Sequence, residues 1–308
     1  MDFVHIPVLL NESIKALDIK PDGKYLDATM GGAGHSEQIA KLLTTGRLFS
    51  VDKDPDAIAA GSKRLKKYSC VTIIESDFSQ VHNHKDKYDI TDLDGILMDL
   101  GVSSHQLDTP ERGFSYHNDA FLDMRMSKSG VSAYDLINNL EKDEISRILF
   151  EYAEESFAGK IARNIVEYRK KKAIETTGEL VEIIKNSLPE KVKRKEKHPA
   201  RKTFQALRIA VNDEMGVLER GLDSLFSLLK PQGRLAVISF HSIEDRIVKR
   251  KMAYWAKPCV CPPSFPICVC DKEKTAKLIS RKPIVAGDDE LSQNSRSRSA
   301  KLRVCEKI

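Results

Sequence analysis

Tyr25-Leu26-Asp27-Ala28-Thr29-Met30-Gly31-Gly32-Ala33-Gly34-His35 constrains this chain more than any other stretch. A short apolar run ends in an acid. A loop with three glycines follows, and Ile39, Leu42 and Leu43 then recur at helical spacing. That order is a strand, a tight turn and a helix N-terminus. Glycine lets the backbone turn sharply and lets a ligand come close to it. The first turn of the helix offers N–H groups that have no partner within the helix. The glycine spacing excludes two phosphate-binding patterns. A dinucleotide loop needs G-x-G-x-x-G, and here Glu37 stands in the third glycine's place, where a carboxylate would repel a pyrophosphate. No G-x-x-x-x-G-K-[ST] occurs in the sequence. The loop suits an adenosyl ligand without phosphate, or it is an ordinary strand-to-helix turn, and its neighbours decide.

Those neighbours repeat one theme. The runs predict strands at about 24–28, 48–52, 71–75 and 93–99, closed by Asp27, Asp52, Glu75-Ser76-Asp77 and Asp99. In an open α/β sheet, ligands sit at the carboxyl ends of the strands, so Asp27, Asp52, Asp77 and Asp99 are expected to face one crevice. An acid at the tip of the second strand can accept hydrogen bonds from both hydroxyls of a ribose. The other role for Asp52 is a helix N-cap, which Asp54, just before Pro55, fits better. Phe78 either flanks an adenine or is core.

The strand–helix rhythm stops near residue 107. Helices are expected at about 132–151, 155–172, 176–188 and 200–215, and the rhythm resumes with a helix at 214–229. A turn at Pro231-Gln232-Gly233, a strand to Phe240, a helix to about Trp255, and last strands at about 279–285 and 301–306 follow. The expected domains are residues 1–106 and 214–308, with a helical insertion at 107–213. Net charge is only +5, but residues 191–208 hold eight Lys/Arg against one acid, and residues 160–172 hold six against one. Either these are solvated faces or they meet a polyanion such as nucleic acid. No stretch is apolar enough to span a membrane, no signal-peptide core opens the chain, and a cytoplasmic protein is expected.

Several motifs together carry a family likeness. They are Asp27–Ser36, Val51-Asp52-Lys53-Asp54-Pro55, Leu97-Met98-Asp99-Leu100-Gly101-Val102-Ser103-Ser104 and Arg112-Gly113-Phe114-Ser115. Leu122-Asp123-Met124-Arg125-Met126, His198–Gln205 and Ile238–Arg246 complete the set. Nearly end to end, from His5 to Arg303, the chain resembles the bacterial ribosomal RNA small subunit methyltransferase H family, also called MraW. The resemblance implies an α/β protein of the class I S-adenosylmethionine-dependent methyltransferase fold. That is a Rossmann-like, doubly wound sheet with an antiparallel last strand and an inserted α-helical domain. It implies S-adenosylmethionine as cofactor, and 16S rRNA of the small ribosomal subunit as partner. The reaction implied is methyl transfer to N4 of a cytosine in the decoding region. By matching motif positions, Ala33, Gly34, His35, Asp52, Phe78, Asp99 and Gln106 would bind the donor. Ala33 departs from the glycine of many relatives and so tests the backbone φ there.

A cytosine amine is a poor nucleophile, so transfer depends on placement and on an acceptor for the amine hydrogens. The D/N-P-P-Y/F motif of many amino-methyltransferases is absent after the fourth strand. Asp99 is the best catalytic candidate, as acceptor near the amine or as ligand of the donor. His241 takes the proton after transfer or caps the next helix. Phe114 and Tyr116 stack on an extruded base or pack internally. Cys259, Cys261, Cys268 and Cys270 form a C-x-C…C-x-C pair that either holds a metal such as zinc or stays as reduced thiols. Two other functions remain open: an RNA-binding assembly factor with a vestigial adenosyl site, and a DNA amino-methyltransferase.

Overall fold

Seven strands form one sheet in the order β3-β2-β1-β4-β5-β7-β6. They are β1 Lys24–Asp27, β2 Arg47–Asp52, β3 Val71–Glu75, β4 Leu93–Asp99, β5 Leu229–Ser239, β6 Ala276–Leu278 and β7 Lys301–Lys307. The first five run parallel, whereas β7 is antiparallel to both β5 and β6. The computed structural model describes residues 7–194, 198–262, 267 and 269–308.

Central strands of such a sheet are covered on both faces and therefore read as unbroken apolar runs. β4 shows why. Ile96 and Met98 point into one core with Leu235 and Val237 of β5. Leu97 points into the other with Ala236 and Ile238. The pairing of Asp27 with Ser50 and Leu97, of Asp52 with Glu75 and of Asp99 with Ile238 brings the strand tips side by side. The expected turn at Pro231-Gln232-Gly233 lies inside β5 as a bulge. Leu229 pairs with Leu93 and Arg234 with Gly95, and Gln232 is carried at φ 67° between them. Asp245, on the helix Ser242–Ala256, binds Arg303 at 2.6 Å and Lys301 at 3.1 Å and so fastens that helix to β7.

The strand expected at 279–285 is instead the short β6, followed by a single bridge from Ile284 to Leu302. Leu278 pairs with Cys305 and Ile284 with Leu302, so the longer segment between them bows out of the ladder before pairing resumes.

The chain divides into two compact units, Met1–Gly101 with Gly216–Ile308, and Val102–Met215. The sheet belongs to the first, and the expected insertion at 107–213 falls within the second. The second unit is helical. Ala133–Asn139, Lys142–Ala153, Ala158–Arg169, Thr177–Ser187 and Arg201–Asn212 pack around Ile145, Leu149, Ile161, Ile165, Leu180, Ile184, Phe204 and Leu207. The helix expected at 132–151 is two helices, because the Glu144 carboxylate accepts the N–H of Glu141 at 3.1 Å and starts a new one. Among the described residues no helix is long and apolar enough to cross a membrane.

Candidate active site

The glycine loop after β1 is held from three sides. Gly31 N–H donates to Asp52 Oδ2 at 2.7 Å, and Met30 N–H donates to the carbonyl of Val51 at 2.8 Å. Arg64 donates to the carbonyl of Gly32 at 3.0 Å while its Nε binds Glu37 at 2.9 Å. Glu37, the residue that excludes a dinucleotide, is thus an anchor. Burial works against its charge, yet the hydrogen bonds from Arg64 and Lys67 hold it down to about 2. Ala33 adopts φ 59°, the left-handed region that favours glycine. Gly34 starts the helix Gly34–Leu42, and a Cβ there would stand 2.2 Å from Pro7 Cγ. Pro7 therefore lies against the loop at a distance that only glycine allows.

The four acids at the strand tips do not share one role. Asp27 is 1% exposed and turned inward. Its Oδ2 accepts the Ser36 hydroxyl at 2.6 Å, Ser36 Oγ lies 2.8 Å from Ser50 Oγ, and Oδ1 accepts Thr29 N–H at 3.2 Å. Burial pushes the Asp27 carboxyl up to about 6, against the lowering effect of Ser36. Asp77 caps the turn after β3, accepting from Ser79 N–H at 2.9 Å, and pairs with Lys53 at 3.3 Å. These two acids build the site's frame, which corrects the expectation that all four face a crevice.

Asp52 and Asp99 are different. Asp52 accepts Gly31 N–H on Oδ2 and Asp54 N–H, at 2.9 Å, on Oδ1. The Lys53 backbone N–H also faces this carboxylate, and the edge left by the three amides can accept a further donor. Burial raises the pKa of Asp52, opposed by those backbone hydrogen bonds. Asp54 is the helix cap, accepting Asp56 N–H at 3.0 Å. Asp99 is fixed by its backbone, whose N–H donates to Thr29 Oγ1 at 2.6 Å. Its Oδ2 lies 3.8 Å from His35 Nδ1, and its Oδ1 is buried with no hydrogen-bond partner. Burial, with the like charges of Asp27 and Glu244, pushes its carboxyl well above the usual range. A buried acid that is short of donors and near other acids is a site for a cation or for hydrogen-bond donors.

His35 is 6% exposed, with Nε2 3.1 Å from the carbonyl of Val8, so its ring bridges the N-terminal segment and Asp99. Phe78 is half-buried, and its ring edge lies over Gly221, where a Cβ would stand 2.5 Å from Cε2. Gln106 belongs to the second unit. There its Oε1 accepts Ser103 N–H at 3.0 Å and its own N–H donates to Ser103 Oγ at 3.2 Å, a capping box. His241 caps the helix Ser242–Ala256, with Nδ1 accepting Glu244 N–H at 3.4 Å and Nε2 3.1 Å from Glu244 Oε1. Nδ1 thus caps the helix, while Nε2, though near the Glu244 carboxylate, is buried without a hydrogen bond among the described residues. In the second unit Phe114 is buried, and Tyr116 stacks on His198 at 4.5 Å between centroids. Thr29, Ser36, Arg64 and Glu244 are the site residues that sequence reasoning missed. Each acts through a partner distant in sequence, and no spacing signals that.

A parallel sheet with an antiparallel last strand, a glycine loop on β1, an acid free to accept on β2 and a donor-short acid on β4 define a methyltransferase of class I. The sequence pattern of the MraW methylase family matches residues 2–308, and the chain belongs to that family. Curated relatives include ribosomal RNA small subunit methyltransferase H of Clostridium botulinum (strain Kyoto / Type A2), 53% identical with 100% of both chains covered. Proteins of the same name from Lachnospira eligens (52%, covering 100% of this chain and 99% of that one) and Symbiobacterium thermophilum (51%, 100% and 98%) are similar. S-adenosylmethionine is the cofactor that membership brings with it. The residues present fit it in chemistry: the orphaned Asp99 Oδ1 suits a cationic or hydrogen-bond-donating group, and the Asp52 carboxylate suits hydroxyl donors such as a ribose diol.

Proposed function

We propose that this protein methylates the N4 amine of a cytosine in the decoding region of 16S rRNA, with S-adenosylmethionine as donor. The observation that carries the reading is the buried, partnerless Oδ1 of Asp99 at the tip of β4, beside the glycine loop. The bound donor supplies a methyl group on a sulfonium. Asp52 accepts from the ribose hydroxyls at the carboxylate edge left by the Gly31, Lys53 and Asp54 amides. Phe78 lies against the adenine face. Ala33, Gly34 and His35 present the loop and the first turn of the helix to the amino-acid end. Asp99 takes the positive ammonium, which relieves the cost of its own charge.

Placement does most of the remaining work, since an oriented nucleophile needs little further activation. The amine gains a methyl group and gives up one proton, and S-adenosylhomocysteine leaves. The target base must stand outside a helical stack to reach the donor. The basic runs of the second unit supply the backbone grip. Several of their cations already pair locally: Lys172 with Glu179 at 2.6 Å and Arg208 with Glu214 at 2.8 Å. The grip therefore rests on their neighbours, such as Lys160, Arg163, Lys171 and Arg201.

The test is methyl transfer from labelled S-adenosylmethionine to small subunits and to 16S rRNA lacking the mark, with nucleosides separated by mass. N4-methylcytidine at one decoding-region position supports the reading. Donor binding without label in RNA indicates an assembly factor, and label in DNA alone indicates a DNA amino-methyltransferase; either result overturns it.

A further inference from the structure

We propose that Cys259, Cys261 and Cys270 form a zinc site that staples the loop between the helix Ser242–Ala256 and β6. The Sγ atoms of these three residues all lie within 4.8 Å of one another. Thiolates around a tetrahedral zinc, with Zn–S near 2.3 Å, stand roughly 3.8 Å apart, so small side-chain adjustments bring the three onto one ion. A backbone N–H already points at one of the sulfurs, from Val269 to Cys261 at 3.4 Å. Such N–H···S contacts surround thiolate ligands and spread their charge. Cys268, the remaining cysteine of the motif, lies outside the described residues.

The loop also needs what a metal provides. Its described residues belong to no helix or strand. Val260, Ile267 and Val269 expose 62%, 75% and 64% of their surface, so they supply no apolar core. The loop ends are nonetheless pinned together, because Thr275 N–H donates to the carbonyl of Trp255 at 2.9 Å and Ile308 N–H to that of Thr275 at 2.9 Å. A closed loop whose described residues supply no apolar core, carrying clustered thiols, is the setting in which metal binding supplies the folding energy. On binding, each thiol releases its proton to solvent and the sulfur donates a lone pair to Zn2+. No redox partner is required. Soft thiolate donors select zinc over the hard divalent cations. This site plays no part in the methyl-transfer reading and stands or falls without it.

The experiment measures metal, not methylation. Full-length protein purified without chelator is assayed by elemental mass spectrometry and is expected to hold about one zinc per chain. The Cys259→Ser/Cys261→Ser variant is expected to lose at least nine-tenths of it, and Cys70→Ser none. To cover a variant that misfolds, the wild-type protein is stripped and titrated with Co2+. A thiolate-to-cobalt charge-transfer band that saturates at one equivalent and is bleached by Zn2+ supports the site. Absence of bound zinc together with absence of that band overturns it. So does iron in place of zinc, or zinc retained at full occupancy in a folded Cys259→Ser/Cys261→Ser protein.

Discussion

Replacing Ser36 by alanine tests the frame on which the site is built. Asp27 is buried and titrates near 6, held there by a 2.6 Å hydrogen bond from Ser36 that opposes the effect of burial. Its unfolded value is 3.8. A raised carboxyl contributes stability that is fully present below the unfolded value and is lost as pH climbs through the folded one, here between about pH 4 and 6, and amounting to about 3 kcal/mol. A hydrogen bond to a charged acceptor contributes about 1.5–3 kcal/mol. The neutral form loses only about 1 kcal/mol, so the difference of about 0.5–2 kcal/mol moves the Asp27 midpoint up to between about 6.5 and 7.5. At pH 5 Asp27 is protonated in both proteins, and Ser36→Ala costs only about 1 kcal/mol for a neutral hydrogen bond. At pH 8 Asp27 is largely ionised in both proteins and the variant loses the stronger, charged hydrogen bond, so the cost grows by about 0.5–2 kcal/mol. The assay is urea unfolding at both pH values, followed by the fluorescence of Trp255. This is the sole tryptophan, 6% exposed and stacked on Phe226, within the same unit as Asp27. A carboxyl-carbon NMR titration of Asp27 completes it. Equal destabilisation at pH 5 and pH 8, or an Asp27 midpoint near 4 in the native protein, would refute the reasoning.

Three other expectations follow from the site. Asp99→Asn keeps the fold but weakens S-adenosylhomocysteine binding by at least tenfold in calorimetry; in the wild type the affinity rises with pH through the raised Asp99 range, and in the variant that dependence disappears. Gly221→Ala pushes a methyl group into the Phe78 ring, so equilibrium dialysis should show weaker donor binding even though alanine is the better helix former. Ala33→Gly relieves a left-handed residue, worth about 1–2 kcal/mol, but deletes a fully buried methyl group, about 0.8 kcal/mol, and adds glycine's chain entropy, about 0.5–1 kcal/mol. The melting temperature should therefore stay within a few degrees of the wild type, and a rise or fall of ten would contradict this balance.

The parts of the fold that could be read from the sequence are those written in local patterns. β4 announced itself because both its faces are buried, and the glycine loop because backbone geometry demands small residues there. Even the departure at Ala33 was legible as a question about φ, which the observed 59° answers. The division of labour among the acids was not legible. Asp27 and Asp52 look alike in sequence, each ending an apolar run. What separates them is Ser36 on one and the Gly31 and Asp54 amides on the other. His241 shows the same limit, since a histidine after a strand gives no sign in sequence of the cap that its Nδ1 makes to the Glu244 N–H. Interruptions of a ladder were also hidden, such as the one between Leu278 and Ile284.

The central claim is that Asp52, Asp99 and the Ala33-Gly34-His35 turn hold one adenosyl donor. A crystal structure of the protein with S-adenosylhomocysteine tests it most directly. The account predicts the ribose diol on Asp52, the ammonium on the now-partnered Oδ1 of Asp99 and the amino-acid end over Gly34. Density for the ligand elsewhere, with Asp99 Oδ1 still unpaired, would contradict it.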